Sequence, residues 1–261
     1  MTHRYWVVDA FTSTLFTGNQ AAVMLPETPL PEALMRAIAA ENNLSETAFA
    51  VREDQGWHLR WFTPTVEVQL CGHATLATSF VLARLGHTPP FQFRTLSGQL
   101  TATIEEGRIV LDFPIRPRRP EEASAALIDI LGMAPLEVFY AKDIVAVLPS
   151  AAAVRGLAPD IGKIKKLLPG GALVVTAPGD GGADIASRYF APGYGIDEDP
   201  VTGGIHTAVV PYWAERLGRN RLVCDQPSQR GGRLYCEWRG ERVRLAGNAV
   251  LYAEGTLALT A

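Results

Sequence analysis

The feature of this sequence that most constrains its fold is an internal repeat, in which short patterns occur twice in the same order. The Phe-Thr-Pro of residues 62–64 is echoed by the Phe-Ala-Pro of residues 190–192, at an offset of 128. The Gly-Gln-Leu of residues 98–100 is echoed by the Gly-Arg-Leu of residues 232–234, at an offset of 134. Strand-like apolar runs follow each pattern, so the repeat predicts two homologous domains.

A long apolar segment lies between the two patterns in each half, from residue 72 to 86 and again from residue 203 to 218. Their length and small residues favour buried helices over strands. A helix that is apolar on every side has to be enclosed by other elements. We therefore expect an α+β fold with two pseudo-symmetric domains, residues 1–116 and 121–261, each a mostly antiparallel sheet or barrel wrapped around a central helix. The last strand is free to cross back to the first domain, and a ligand cleft is expected between the domains.

Local patterns predict further elements. A helix is expected at residues 31–43, where Pro begins an apolar pattern of helical spacing and two Asn end it. The basic, proline-rich residues 114–120 are interpreted as a solvated linker, and the glycine-rich residues 179–182 as a loop. Strands are expected at residues 48–51, 59–62, 91–95, 100–104 and 109–113.

Composition narrows the class of protein. The chain has 24 Lys and Arg against 27 Asp and Glu, a net charge of −3, so it lacks the basic excess typical of nucleic-acid binding. No apolar run approaches the roughly 20 residues that span a bilayer. Asp9 interrupts the segment where a signal peptide would need an apolar core, and the cysteines at positions 71, 224 and 236 make no disulfide framework. We expect a cytoplasmic protein that binds neither nucleic acid nor membrane.

Residues with useful chemistry cluster at the starts of the two predicted central helices. Gly72 opens the first helix, and Gly203 and Gly204 open the second. Free backbone N–H groups and the helix dipole favour an anion at such a position. If the two helix starts face each other, they are expected to clamp a substrate carboxylate.

The ionisable side chains nearby have structural as well as functional interpretations. Asp199 or Thr202 would cap the second helix by accepting its N–H bonds. His73 is equally well explained as a buried structural histidine. Glu46 lies between a helix end and an apolar strand, and because burial raises the pKa of a carboxylate, a shielded Glu46 is a candidate acid/base. Its alternative is a glutamate in a surface turn.

Other familiar catalytic motifs are absent from the sequence. It contains no G-x-S-x-G elbow, no P-loop and no H-E-x-x-H motif. Its five histidines show no metal-ligand spacing, and its cysteines form no C-x-x-C pair. We therefore expect neither a metal nor a cofactor.

Six short motifs occur in an order that is typical of one family. They are Asp-Ala-Phe-Thr at residues 9–12, Gly-Asn at 18–19, Asn-Leu-Ser-Glu-Thr-Ala-Phe at 43–49, Cys-Gly-His-Ala-Thr at 71–75, Glu-Asp-Pro-Val-Thr-Gly at 198–203 and Gln-Arg-Gly-Gly at 229–232. Together they cover nearly the whole chain, which resembles the phenazine-biosynthesis isomerase-like (PhzF-like) family. The resemblance implies the diaminopimelate-epimerase fold, with two similar domains, each built around a central helix, and an active site between them.

The resemblance also implies roles for particular residues. The family's type enzyme isomerises a dihydro-hydroxyanthranilate by moving a proton without a cofactor, and one glutamate serves as both acid and base. Glu46 matches that glutamate. His73 and Asp199 match a histidine and an aspartate at the substrate, and Asn19 matches an asparagine that lines the pocket. A small carboxylate substrate and a homodimer are therefore expected.

The sequence departs from the family pattern at the start of the second central helix. The family usually continues Thr-Gly-Ser-Ala, whereas residues 202–205 read Thr-Gly-Gly-Ile. Gly204 keeps a backbone N–H for an anion but lacks the serine hydroxyl that would bond the substrate or shuttle a proton. The family alone therefore does not fix the reaction.

We carry three hypotheses about function. The first is a cofactor-independent isomerase in which Glu46 moves a proton on a small carboxylate. The second is an epimerase or racemase with two thiols, for which Cys71 is a candidate, although Asp199 occupies the equivalent place in the second half. The third is a binding or interaction protein that kept the fold and lost the chemistry. The loss of serine at Gly204 favours this third hypothesis, and the presence of Glu46, His73 and Asp199 opposes it.

Overall fold

The chain forms two compact units in the computed structural model, which describes residues 2–259. Unit 1 comprises the chain up to Asp112 together with the segment from Ala246 onward, and unit 2 is Phe113–Leu245. Both units contain strands and helices, which confirms the prediction of an α+β fold. No helix among the described residues is long and apolar enough to cross a membrane.

The elements predicted for the first half of the chain are present. The helix expected at residues 31–43 is observed at Glu32–Asn42, and the apolar segment from residue 72 forms a helix over Gly72–Arg84. Each of the five expected strands falls within an observed strand. In chain order the elements are β1 (Thr2–Ala10), β2 (Asn19–Met24), α1 (Glu32–Asn42), β3 (Glu46–Glu53), β4 (Gly56–Phe62), β5 (Glu67–Val68), α2 (Gly72–Arg84), β6 (Phe91–Thr95), β7 (Gly98–Glu105) and β8 (Arg108–Pro114).

The second half follows the same plan. The helix expected at residues 203–218 is observed at Gly203–Leu217 and ends at Gly218, whose φ of 64° is left-handed. Residues 179–182 lie in a loop between two strands, as predicted. The elements are β9 (Arg119–Glu121), α3 (Ala125–Leu131), β10 (Glu137–Ala141), β11 (Asp143–Val147), α4 (Ala151–Gly156), α5 (Ile161–Leu167), β12 (Leu173–Pro178), β13 (Ile185–Ala191), a 3-10 turn (Pro192–Tyr194), β14 (Ile196–Asp199), α6 (Gly203–Leu217), β15 (Arg221–Asp225), β16 (Arg233–Arg239), β17 (Arg242–Gly247) and finally β18 (Ala249–Ala258), which pairs with β1 in unit 1.

Residues 114–120 are only partly the solvated linker that the sequence predicts. Arg119 and Pro120 belong to β9, which runs antiparallel to β10 with Arg119 opposite Tyr140. The guanidinium of Arg119 also lies over the ring of Tyr140, 4.5 Å from its centroid. The ladder and this cation–π contact hold the end of the basic segment on the sheet.

The two units repeat the same order of strand pairings. In unit 1, β2 is parallel to β3, β3 is antiparallel to β4, and β4 is antiparallel to β5 and parallel to β6, which is antiparallel to β7. In unit 2, β11, β12, β13, β14, β15 and β16 make the corresponding pairs in the same order and with the same directions. The equivalent position after β5 and after β14 holds α2 and α6, so the structure confirms the internal repeat.

Both central helices are buried, as the sequence predicts. Residues 73–79 of α2 are buried, and the helix packs against β1, β2, β3, β7 and β18. Residues 205–214 of α6 are buried, and this helix packs against β15 and β16. In α2 the hydroxyl of Thr78 donates to the Ala74 carbonyl at 2.8 Å, which gives a buried polar group the partner that it needs.

Candidate active site

Four residues singled out in the sequence come together in unit 1. Asn19 is the first residue of β2 and Glu46 the first residue of β3. Because these strands are parallel, with Ala21 opposite Glu46, both begin at the same edge of the sheet. Gly72 and His73 are the first two residues of α2, and the side chain of His73 contacts both Asn19 and Glu46.

Two left-handed residues position the strand starts. Gly18 has a φ of 72°, and a Cβ at this position would overlap the carbonyl oxygen of Ala10, so only glycine fits the turn that leads into Asn19. Asn43 ends α1 with a φ of 46°, and its N–H donates to the carbonyl of Ala39 at 3.2 Å. The predicted Asn stop is therefore confirmed, and it directs the chain into Glu46.

The central contact of the site joins Glu46 to His73. His73 Nε2 lies 2.9 Å from Glu46 Oε2, and the side chains are 6% and 16% exposed, respectively. The two atoms are at ion-pair distance without the alignment of a hydrogen bond, since Oε2 is buried and has no hydrogen-bond partner within residues 2–259. Electrostatic attraction therefore dominates the contact.

The other edge of the His73 ring is also occupied. Asn19 Nδ2 lies 3.3 Å from His73 Nδ1, and Cys71 Sγ lies 3.5 Å from the same nitrogen. Burial opposes a charge on the ring, but the contacts that the ring makes with Cys71 and Glu46 outweigh burial and hold the pKa of His73 well above its usual value. The candidate site therefore contains a ring that keeps its second proton to higher pH than an ordinary histidine.

Cys71 precedes α2 and is 6% exposed. Burial, together with the negative charge of Glu46, raises the pKa of its thiol to about 11, although His73 acts in the opposite direction. The sulfur is therefore an uncharged thiol at neutral pH. It follows that Glu46, rather than Cys71, supplies the negative charge beside His73.

The same side chains offer a possible set of metal ligands. One donor atom from each of Glu46, Cys71 and His73 lies within 4.8 Å of the others. These donor types are ones that zinc binds, and the sequence spacing did not predict their grouping. Zinc binding would release the proton of the Cys71 thiol, whereas proton transfer by the Glu46 carboxylate does not involve the thiol.

The remaining predicted site residues lie in unit 2, around the start of α6. Asp199 ends β14, is 9% exposed and accepts a 2.5 Å hydrogen bond from the Thr202 hydroxyl. Thr202 occupies the N-cap position, but its side chain makes no capping bond, so the prediction that it caps the helix is wrong. Its hydroxyl is directed to Asp199 instead.

The residue that holds this turn together was not among those predicted from the sequence. Gln226 is fully buried, and its side-chain oxygen accepts from the Thr202 N–H at 2.9 Å. Its nitrogen donates to the Asp199 carbonyl at 2.8 Å. This amide therefore joins the end of β14 to the start of α6. A glutamine 24 residues away from Thr202 carries no local sequence signal for such a role.

The departure from the family pattern at Gly204 has a structural counterpart. A Cβ at Gly204 would lie 2.9 Å from a terminal nitrogen of Arg116. The space beside the Gly204 α-carbon, where a serine side chain would begin, is therefore taken by a guanidinium. Arg116 belongs to the segment interpreted from sequence as a solvated linker, so its place beside α6 was also missed.

Comparison with known proteins identifies the relatives of this chain. The family model described as "Phenazine biosynthesis-like protein" matches residues 8–255. A protein of Pseudomonas aeruginosa named as an uncharacterised isomerase is 46% identical over 256 residues, which cover 97% of each chain. The crystal structure of a PhzF-family phenazine biosynthesis protein from Enterococcus faecalis matches with a TM-score of 0.96 and 43% identity, covering 99% of this chain and 100% of that one.

A more distant structure shares the fold. A hydroxyproline epimerase from Agrobacterium vitis, solved with bound trans-4-hydroxy-L-proline, matches with a TM-score of 0.59 and 12% identity, covering 99% of this chain and 93% of that one. At this identity the likeness concerns the fold alone. Together with the PhzF structure, it confirms the predicted diaminopimelate-epimerase-like fold. The resemblance noted in the sequence is likewise confirmed, and the chain belongs to the phenazine biosynthesis-like (PhzF) family.

Proposed function

We propose that this protein is a cofactor-independent isomerase that moves a proton on a small carboxylate substrate, with Glu46 as both acid and base. The observation that carries the proposal is the contact of 2.9 Å between Glu46 Oε2 and His73 Nε2 in a largely buried site. The isomerase name of the Pseudomonas aeruginosa relative supports the reaction class.

The two oxygens of Glu46 have different surroundings. Oε2 is buried beside His73, and no hydrogen bond to Oε1 occurs within residues 2–259. In the proposed reaction Oε1 accepts a proton from an activated carbon of the substrate and returns it to another carbon, so Glu46 ends as the carboxylate that it began as. The positive charge of His73 stabilises the negative charge that the substrate gains between the two steps.

Backbone groups supply the proposed binding site for the substrate carboxylate. Gly72 is the first residue of α2, a helix of 13 residues, and free N–H groups and the helix dipole attract anions at such a start. We extend the same role to Gly203 and Gly204 at the start of α6. Asp199 is proposed to bind a polar group of the substrate rather than its carboxylate, because like charges repel.

The structure gives less support to the other two hypotheses. A two-thiol racemase needs thiols that exchange protons near neutral pH, but burial raises the pKa of Cys71 to about 11. A binding protein that had lost its chemistry would not need a glutamate held 2.9 Å from a buried histidine. That pair therefore favours the isomerase.

Deuterium incorporation tests the proposal and does not require the substrate to be identified first. The protein is incubated in deuterated water with a panel of cyclic and unsaturated carboxylates and amino acids, and the products are analysed by mass spectrometry. We expect incorporation into at least one compound by the wild type and by Glu41→Gln, which changes an exposed glutamate of α1. Glu46→Gln should remove it. Incorporation that survives in Glu46→Gln would refute Glu46 as the acid/base, and none by wild type with any compound would favour the binding protein.

A further inference from the structure

Asn19 is placed too deeply to be an ordinary substrate contact. It is fully buried, although the resemblance suggested a residue that lines the pocket. Its side chain lies between two residues of the candidate site. The Ser45 hydroxyl donates to Asn19 Oδ1 at 3.0 Å, and Asn19 Nδ2 lies 3.3 Å from His73 Nδ1. The Asn19 amide therefore connects Ser45 to the ring of His73. That ring in turn contacts Glu46, the residue that follows Ser45 in the chain.

With the Asn19 amide in this orientation, the two bonds indicate where the neutral ring carries its proton. An amide nitrogen only donates, so His73 Nδ1 must accept and has no hydrogen when Asn19 Nδ2 faces it. The single proton of a neutral ring is then on Nε2. Nε2 is the nitrogen that lies 2.9 Å from Glu46 Oε2. With the opposite tautomer, two lone pairs would meet at this short distance.

We propose that Asn19 is a positioning residue, which together with Ser45 keeps the proton of neutral His73 on Nε2, next to the carboxylate of Glu46. It acts through His73 rather than on the substrate. This placement of the proton stands on the geometry alone and does not depend on the proposed function of Glu46.

The same three residues also accommodate a charged ring. When Nδ1 takes the second proton, a half-turn of the Asn19 amide presents Oδ1 to the new N–H. Nδ2 then faces Ser45 Oγ, which can accept as well as donate. Each bond of the chain is replaced by another, so His73 keeps its orientation in both protonation states.

Cys71 is the competing explanation for the tautomer, because its Sγ also lies 3.5 Å from His73 Nδ1. A thiol is only a weak donor. Asn19→Asp separates the two explanations, since aspartate has nearly the same shape but an ionised carboxylate only accepts. If the amide is in control, the carboxylate will draw the proton of the neutral ring to Nδ1 even with Cys71 unchanged.

Nuclear magnetic resonance of the protein labelled with 15N-histidine reads the proton position directly. The His73 signal is assigned by its loss in His73→Gln, and spectra are recorded across the pH range. In the wild type we expect the neutral ring to carry its proton on Nε2. In Asn19→Asp the neutral ring should carry its proton on Nδ1.

Asn42→Asp is the matched control, because Asn42 is an amide of the same unit that donates to Thr47 at 3.0 Å and does not contact His73. It should leave the His73 spectrum unchanged.

A wild-type ring with its neutral proton on Nδ1 would overturn the proposal, as would an Asn19→Asp protein with the wild-type tautomer. If Asn19→Asp does not fold, Ser45→Ala serves instead. It removes the hydroxyl that orients the amide and should give a mixture of both tautomers, whereas a pure Nε2–H form would count against the role of Ser45. Since the spectra need no turnover, a correct proton position without deuterium incorporation would refute the isomerase and not the positioning role.

Discussion

Thr75 and His206 make the same bond at equivalent places in the two units. The hydroxyl of Thr75 in α2 donates to the Cys71 carbonyl at 2.6 Å, and His206 Nδ1 in α6 lies 2.8 Å from the Thr202 carbonyl. Each acceptor is four residues earlier, at the N-cap of its helix. Since a carbonyl only accepts, His206 Nδ1 carries a proton. The repeat therefore preserves a hydrogen bond while the side chain that makes it differs.

His206 is expected to make the protein sensitive to acid. Burial lowers the pKa of His206 from its usual value of 6.5 to about 4. At a pH between these two pKa values, the unfolded chain binds a proton at His206 that the folded chain does not. The folded state therefore loses stability as pH falls from about 6.5 towards 4, by about 2 kcal/mol between pH 7 and pH 5.

His206→Thr, which copies the residue of the other unit, should lack this loss because the new hydroxyl does not titrate. Urea unfolding at pH 7 and pH 5 measures the difference between the two proteins. His73 is present in both proteins, so its contribution to the pH dependence of stability cancels from the comparison. Equal losses in the wild type and the variant would show that His206 does not titrate in this way.

Glu46→Gln is expected to fold and to lose nearly all turnover. Positioned acid/base groups contribute roughly 10²–10⁴-fold to rate, so a reduction of less than about tenfold would be too small for this role. The substitution also removes the negative charge beside His73, and the pKa of His73 should fall as a result. Steady-state kinetics and an NMR titration of His73 check the two parts separately.

Cys71→Ser is expected to keep most of the activity, because burial leaves the thiol uncharged at neutral pH and the proposed reaction does not use it. Alkylating reagents should modify Cys71 slowly for the same reason. Cys224→Ser, at another buried cysteine, is the matched control. If Cys71→Ser abolished turnover and Glu46→Gln did not, the thiol would be the acid/base.

Gly18→Ala is expected to destabilise the fold by at least about 2 kcal/mol, because a left-handed backbone is strained for alanine and the new methyl group overlaps the Ala10 carbonyl. Gly107→Ala is the control for strain alone. Gly107 has a φ of 77°, similar to the 72° of Gly18, but no atom of the described residues lies within 4 Å of the place that its new methyl group would take. Denaturant unfolding should show a clearly larger loss at residue 18.

The repeated helices and strands could be predicted because their signals are local. The apolar segments that became α2 and α6 are long, and glycines mark their ends. The strand at Phe91–Thr95 also has a local signal, and the sequence predicts it residue for residue. The repeat provides a second, independent instance of each pattern. The strand pairings, which follow the same order in both units, agree with the predicted repeat.

The contacts within the candidate site could not be predicted in the same way, because they depend on distance in space. Gln226 and Arg116 lie far along the chain from the turn that they contact, and neither has a distinctive local pattern. The family motif pointed to Asn19, Glu46 and His73 without stating how they touch. Only the fold shows that Asn19 is fully buried against His73.

The contact between Gly204 and Arg116 makes these two positions epistatic. A serine at 204 would displace the guanidinium, and because Arg116 is long and flexible the displacement would cost little stability. What changes is the location of a positive charge at the start of α6. The same serine introduced after Arg116→Ala would displace no charge. The effect of a substitution at one position therefore depends on whether the other has already occurred. An account of how these two positions diverged during evolution has to give the order of the two substitutions.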